Sequence, residues 1–207
     1  MNNRKLFPSI PLKLPRARAL ARLGYNRHLT ELDARQLATV EEALAAGFAL
    51  CQPQGVMVRV GFKAEGDVMT LENGGTIASA SLAKMLAGCG EMLLVAATMG
   101  GEIVEAASEA ITRGDGARGA IFDAVGSETA DACLDWLQDY AGGNLSREGL
   151  ALTKHRFSPG YGDLQLSVQS LLYKLLHFDK LGVSINDRHV LIPEKSVIGI
   201  VGIAKGT

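Results

Sequence analysis

The chain has 207 residues, 47% hydrophobic and 21% charged, with 21 Lys+Arg against 22 Asp+Glu and a formal net charge of −1. A chain of this length and composition buries a sizeable core in one large domain or two small ones, and its balanced charge excludes a whole-chain field for nucleic acid or an anionic membrane. Cys51, Cys89 and Cys133 are far apart with no C-x-x-C pair, which argues against a disulfide scaffold or a zinc site and for free thiols packed as small hydrophobes.

Residues 1–14 read as an extended lead-in, kept from helix by Pro8, Pro11 and the following Pro15. Residues 1–30 carry Arg4, Lys5, Lys13, Arg16, Arg18, Arg22 and Arg27 without an acidic side chain, the pattern of a solvated basic arm. Prolines and charges interrupt the apolar run that a signal peptide needs. The longest apolar run, Met92–Met99, falls well short of a membrane span. A reducing cytoplasm is the expected compartment.

Pro15 suits the first turn of a short helix over Arg16–Leu23, ended by Gly24. Thr30, Glu31 and Asp33 start a longer helix to about Leu50, with Leu32, Leu37, Val40, Leu44 and Phe48 near helical spacing. Val56–Phe62 and Val68–Leu71 read as strands around a polar turn, Lys63–Asp67. Ser79–Leu86 reads as a helix closed by Gly88, and Glu91–Ala97 as a buried strand. Helices over Glu102–Thr112 and Ala117–Tyr140 follow, and Gly142-Gly143-Asn144 is the clearest break. Beyond it the pattern predicts a strand at Leu150–His155, a loop at Phe157–Asp163 and a helix at Leu164–Phe178. Strands at Val190–Ile192 and Val197–Ile203 close the chain. Helices and strands mix without βαβα alternation, so the expected fold class is α+β: one domain over 15–207, a largely antiparallel twisted sheet with flanking helices, and a helical part at 15–50 packed on it.

Two motifs invite a wrong reading. Gly114-Asp-Gly-Ala-Arg-Gly119 matches G-x-G-x-x-G, but the dinucleotide fingerprint needs a strand before it, and here a helix precedes it. It reads as a helix–helix turn. His28, His155, His177 and His189 lack metal-ligand spacing, and no metal site is expected.

Arg156-Phe157-Ser158-Pro159-Gly160-Tyr161-Gly162-Asp163 carries the clearest chemistry. A strand delivers a guanidinium, Pro159 fixes φ, two glycines permit close backbone approach, and Tyr161 can cover a flat or apolar ligand surface. An arginine fork binds a carboxylate through two parallel hydrogen bonds. On the residues alone the alternative stands equally: a Pro-Gly turn with a surface Arg and Asp163 as the N-cap of the next helix.

The segment resembles the Arg-x-x-x-Gly-Tyr motif of the activation domain of cobalamin-dependent methionine synthase. The following helix, Leu181–Asn186, Val190–Pro193 and Ser196–Gly199 keep that domain's order, and Asp123–Asp131 looks like the helix that supplies its acidic side chain. The likeness covers residues 90 to 203. It implies that Arg156 holds the methionine carboxylate of S-adenosylmethionine, with Phe157, Pro159 and the backbone of Ser158 and Gly160 lining the site. Tyr161 packs at the ligand, and Asp131 matches a family glutamate by chemical type. Departures accompany the likeness. The family's aromatic leading segment is not found in residues 1–60, its Pro-Asp-His after Gly-Tyr is replaced by Gly162-Asp163-Leu164-Gln165, and a family tyrosine bordering the ligand would lie beyond Thr207.

The resemblance implies an S-adenosylmethionine-binding domain that supports reductive remethylation of a corrinoid-dependent methyltransferase, such as a methionine synthase core, on another chain. That partner would bring cobalamin, and a flavodoxin or similar donor would bring the electron. No cobalamin-binding Asp-x-His-x-x-Gly loop is present here. No catalytic acid or base is assigned, because the transfer requires positioning. Two other readings stand beside it: a binding or sensing module without chemistry, and a docking module that has lost the ligand.

Overall fold

The centre of the fold follows from an apolar strand whose neighbours on both sides are also strands. β5 (Glu91–Thr98) pairs antiparallel with β2 (Gln54–Glu65) on one side and β9 (Ser196–Lys205) on the other. Its residues from Met92 onward are buried on both faces, which explains a run without polar alternation. The computed structural model describes residues 4–25 and 33–206. The helix-start signals Thr30 and Glu31, and His28, lie outside the described residues.

The sheet order is β4-β3-β2-β5-β9-β6, with β3 (Val68–Leu71), β4 (Thr76–Ala78) and β6 (Leu150–Leu152), and every described pairing is antiparallel. β1 (Lys5–Phe7) joins β2 through Met57, Val56 and Gly55. A small hairpin of β7 (Ser184–Ile185) and β8 (Leu191–Ile192) stands apart. Side chains alternate across the sheet. Met92, Leu94, Ala96, Ile198 and Ile200 face α3 (Ala80–Met85) and α6 (Val168–Leu176). Leu93, Val95, Ala97, Val201 and Ile203 face α5 (Gly116–Leu145). A third cluster joins Ala19 and Leu20 of α1 (Arg16–Arg22) and Ala43 and Leu44 of α2 (Ala34–Ala49) to Ile121 and Val125 of α5. The chain is thus an α+β domain with an antiparallel sheet between helical layers, as the element pattern predicts.

Four expectations are corrected. The described part of the basic N-terminal block, residues 4–25, is not a solvated arm. Phe7 and Ile10 are buried, β1 is a strand, and Arg16, Arg18 and Arg22 pair with Glu41, Asp135 and Glu128. Its counter-charges sit on helices distant in sequence, which a local charge count cannot register. Gly142-Gly143-Asn144 does not break the chain: α5 runs 30 residues through it to Leu145, ending at a 3-10 turn before Gly149 at φ 71°. Contacts with α1, α2, α4 (Glu102–Thr112) and the sheet hold that helix, so packing overrides the low helix propensity of glycine. The strand expected over Leu150–His155 stops at Leu152, then resumes as a single antiparallel bridge between Phe157 and Ile200. The helix expected from Leu164 begins at Val168.

Other signals hold. Asp33 caps α2 by accepting from the Gln36 N–H at 2.7 Å, while the Gln36 side chain accepts from the Asp33 N–H at 2.9 Å. Gly114-Asp-Gly-Ala-Arg-Gly119 is a helix–helix turn, with Gly114 at φ 86° and Asp115 accepting from the Arg118 N–H.

Candidate functional site

Arg156 reaches the site because a glycine lies under it. The Phe157–Ile200 bridge aligns residues 156 and 157 with the edge of β9. There Gly199 presents no side chain, and the stem of Arg156 occupies the space that a Cβ at 199 would need. The guanidinium thereby crosses the edge of the sheet to α5, and the side chain is only 19% exposed.

On α5 it meets one face of the helix, at spacings of four and three residues. Asp135 Oδ1 accepts from Arg156 Nη1 at 2.9 Å, Gln138 Oε1 accepts from the same nitrogen, and Asp131 Oδ1 stands 3.6 Å from Nη2. Asp135 Oδ2 accepts in turn from Arg18 Nη1 at 2.7 Å. Burial alone would raise the pKa of Asp135, but hydrogen bonds from Arg18 and Arg156 outweigh it and hold the carboxyl below its ordinary range.

The loop after Arg156 is closed by its own backbone. The Gly160 N–H donates to the Leu164 carbonyl at 2.8 Å, and the Leu164 N–H donates to the Tyr161 carbonyl at 3.1 Å. Gly160 at φ 90° and Gly162 at φ 56° make the turns that a side chain would strain. Pro159 is buried, and Phe157 packs against the cluster under α6. Tyr161 is 71% exposed and stands beside the groove. Asp163 does not cap α6 as the sequence suggests. Its carboxylate accepts from Ser79 Oγ at 2.7 Å and the Ala80 N–H at 2.6 Å, tying the loop to the start of α3. The Ser79 hydroxyl leads a set of donors that hold Asp163 down to about 2.

Asp131, Arg156, Phe157, Ser158, Tyr161 and Val197 line a hollow of about 290 Å³. Asp131, Tyr161 and Val197 also border a second hollow of about 300 Å³ that extends to Arg22, Glu194 and Lys195. Together they form one groove between α5, the 156–163 loop and the start of β9, in the usual size range of small-molecule sites, roughly 300–1,000 Å³. A larger hollow of about 620 Å³ continues along α5 past Val104, Ala107 and Ile111. It lacks the Arg156 loop, so the chemistry favours the smaller groove over the larger volume.

Every residue proposed from the sequence except Pro159 and Gly160 lines the first hollow, and those two form the turn behind it. Sequence reasoning missed Asp135, Gln138, Arg18 and Lys195. The 131/135/138 spacing on one predicted helix was a usable signal for the first two. Nothing local points to Arg18 or Lys195, whose partners Asp135, Asp123 and Ser127 are 68 or more residues away. Among the described residues no cluster of His, Cys, Asp and Glu could hold a metal ion, and no helix is long and apolar enough to cross a membrane.

No protein-family model matches the sequence, and no curated protein matches it either. Among solved structures the chain is similar to the MetH reactivation domain bound to AdoHcy, at 15% identity and a TM-score of 0.64, over 91% of this chain and 72% of that one. With so little identity over so much of the chain, the likeness is one of backbone architecture: this chain has the fold of the methionine synthase reactivation domain.

Proposed function

We propose that the chain is an S-adenosylmethionine-binding domain that supports reductive reactivation of a corrinoid-dependent methyltransferase carried on another chain. The observation that carries this reading is the 3.6 Å approach of Arg156 and Asp131 inside a groove beside Tyr161, in a fold whose solved neighbour is described as bound to AdoHcy. The amino-acid end of such a ligand carries a carboxylate and an ammonium. The open Nη2 edge of Arg156 suits the first and Asp131 the second. Tyr161 and Phe157 offer aromatic surface to the nucleoside, and the turn at Ser158–Gly160 offers backbone groups to its edge.

When bound, S-adenosylmethionine supplies a sulfonium methyl group, and the cobalamin partner supplies the metal that accepts it. This chain's residues then bind and orient: Arg156 and Asp131 fix the amino-acid end, and Tyr161 limits water at the exposed side. A fixed geometry accounts for the rate, with no proton to move. The partner is expected to be a methionine synthase core or a similar corrinoid protein, the electron to come from a flavodoxin or similar donor, and the compartment to be the cytoplasm.

Calorimetric titration with AdoHcy and S-adenosylmethionine tests binding. Arg156→Lys keeps the charge and loses the Nη2 edge that Asp135 and Gln138 leave for the carboxylate, and a charge-assisted hydrogen bond is worth about 1.5–3 kcal/mol, so affinity should fall roughly tenfold to a hundredfold. Methyl transfer to added corrinoid protein with reductant separates reactivation from binding without chemistry. A docking module without ligand is favoured by one observation, the prior engagement of Arg156 Nη1 by Asp135 and Gln138. Absence of heat at millimolar ligand would select it.

A further inference from the structure

The two oxygens of Asp135 are divided between two arginines from opposite ends of the chain. Oδ1 accepts from Arg156 and Oδ2 from Arg18, at 2.9 and 2.7 Å. Gln138 holds Arg156 Nη1 a second time, so rotation of the guanidinium breaks two hydrogen bonds. With Nη1 fixed toward Asp135 and Gln138, Nη2 is the nitrogen that stands toward Asp131. Arg18 lies on α1, whose Ala19 and Leu20 are buried against α2 and α5. α1 therefore sets where Arg18 meets Asp135.

We propose that Asp135 is a positioning residue that aims Arg156 into the groove, and that Arg18 makes this aim depend on the docking of α1. The N-terminal helix, which borders the groove only through Arg22 in the second hollow, is then a working part of the binding site. Two cations sharing one carboxylate keep it ionised and its lone pairs assigned; without Arg18 the carboxylate is free to turn about its own bond and no longer holds Oδ1 in one place for Arg156. The ligand-binding consequence rests on the function proposed above; the restraint on Arg156 does not.

The test has two arms on the full chain, each with wild type, Asp135→Asn and Arg18→Met. In the first, nitrogen-15 NMR without ligand follows rotation and hydrogen exchange of the Arg156 guanidinium. Slow rotation in wild type and fast rotation in both variants, with melting temperature as the folding control, is the expected result. An Arg156 signal equally restrained in all three proteins overturns the positioning role. The second arm compares AdoHcy with 5′-methylthioadenosine, which keeps the nucleoside and thioether but lacks the amino acid. Asp135→Asn and Arg18→Met should each weaken AdoHcy about tenfold, the size of one charge-assisted hydrogen bond, and leave methylthioadenosine unchanged. Equal loss for both compounds overturns the link to the carboxylate. If wild type binds neither compound, the functional reading fails, and the NMR arm still decides whether Asp135 and Arg18 aim Arg156.

Discussion

Arg156 and Gly199 occupy one space: a Cβ built on Gly199 would stand 2.6 Å from Cδ of Arg156 and 2.8 Å from its Cγ. These are mid-stem atoms of a side chain held at its far end by α5, so the clash has no cheap relief. Gly199→Ala should lose about 1–3 kcal/mol by overpacking and displace the guanidinium from Asp135. In an Arg156→Ala background most of that penalty should vanish, since the colliding stem is gone. Denaturant melts of the two single variants and the double variant measure the coupling; additive losses would mean that the two residues do not compete for the space.

Asp163 ties the loop to α3, and its depressed pKa fixes the sign of a pH effect. A carboxyl lowered on folding adds stability that is complete above its unfolded value, about 3.9, and is lost as pH falls through its folded value, about 2. Wild type should therefore lose this contribution between those limits. Asp163→Asn should be less stable at neutral pH and should lack that component of acid sensitivity. Thermal melts from pH 7 to 2 on both proteins check it.

Leu134 is fully buried under the sheet on α5, one residue before Asp135. Leu134→Ala should cost about 2–5 kcal/mol, the range for a core truncation that leaves a cavity. Chemical denaturation measures it. A loss below about 1 kcal/mol would show that the helix relaxes into the space and is less firmly placed than its burial suggests.

Burial pushes the thiols up, Cys51 to about 11 and Cys133 to about 12, while Cys89 is raised in the same direction but is the shallower group. The thiolate is the reactive form. A thiol reagent at pH 8 should therefore modify Cys89 first in the native protein and all three after unfolding. Mass spectrometry of the modified peptides identifies the order.

How much of this was legible in the chain is clearest at α5 and at the Arg156 loop. The helix-start signal at Asp33, the start of α4, the run of β5 and the turn at Gly114 are local, set by hydrogen bonds and periodicities within a few residues, and the sequence alone predicts them; the partner Gln36 of the Asp33 cap was found only in the structure. So are the features of the loop itself: an arginine, a proline and two glycines around an exposed tyrosine. The length of α5 was not legible, because Gly142 and Gly143 are poor helix formers that surrounding packing holds in place. The partners of Arg156 were not legible either. Asp135 and Gln138 share its site only because β9 brings a glycine beneath its stem, and Arg18 joins only because α1 docks on α5. Local propensity and turn chemistry act over single turns of chain and can be read in one dimension. Ion pairs and steric vacancies such as Arg18–Asp135–Arg156 over Gly199 exist only between segments that the sheet and the long helix bring together, so the tertiary structure alone decided them.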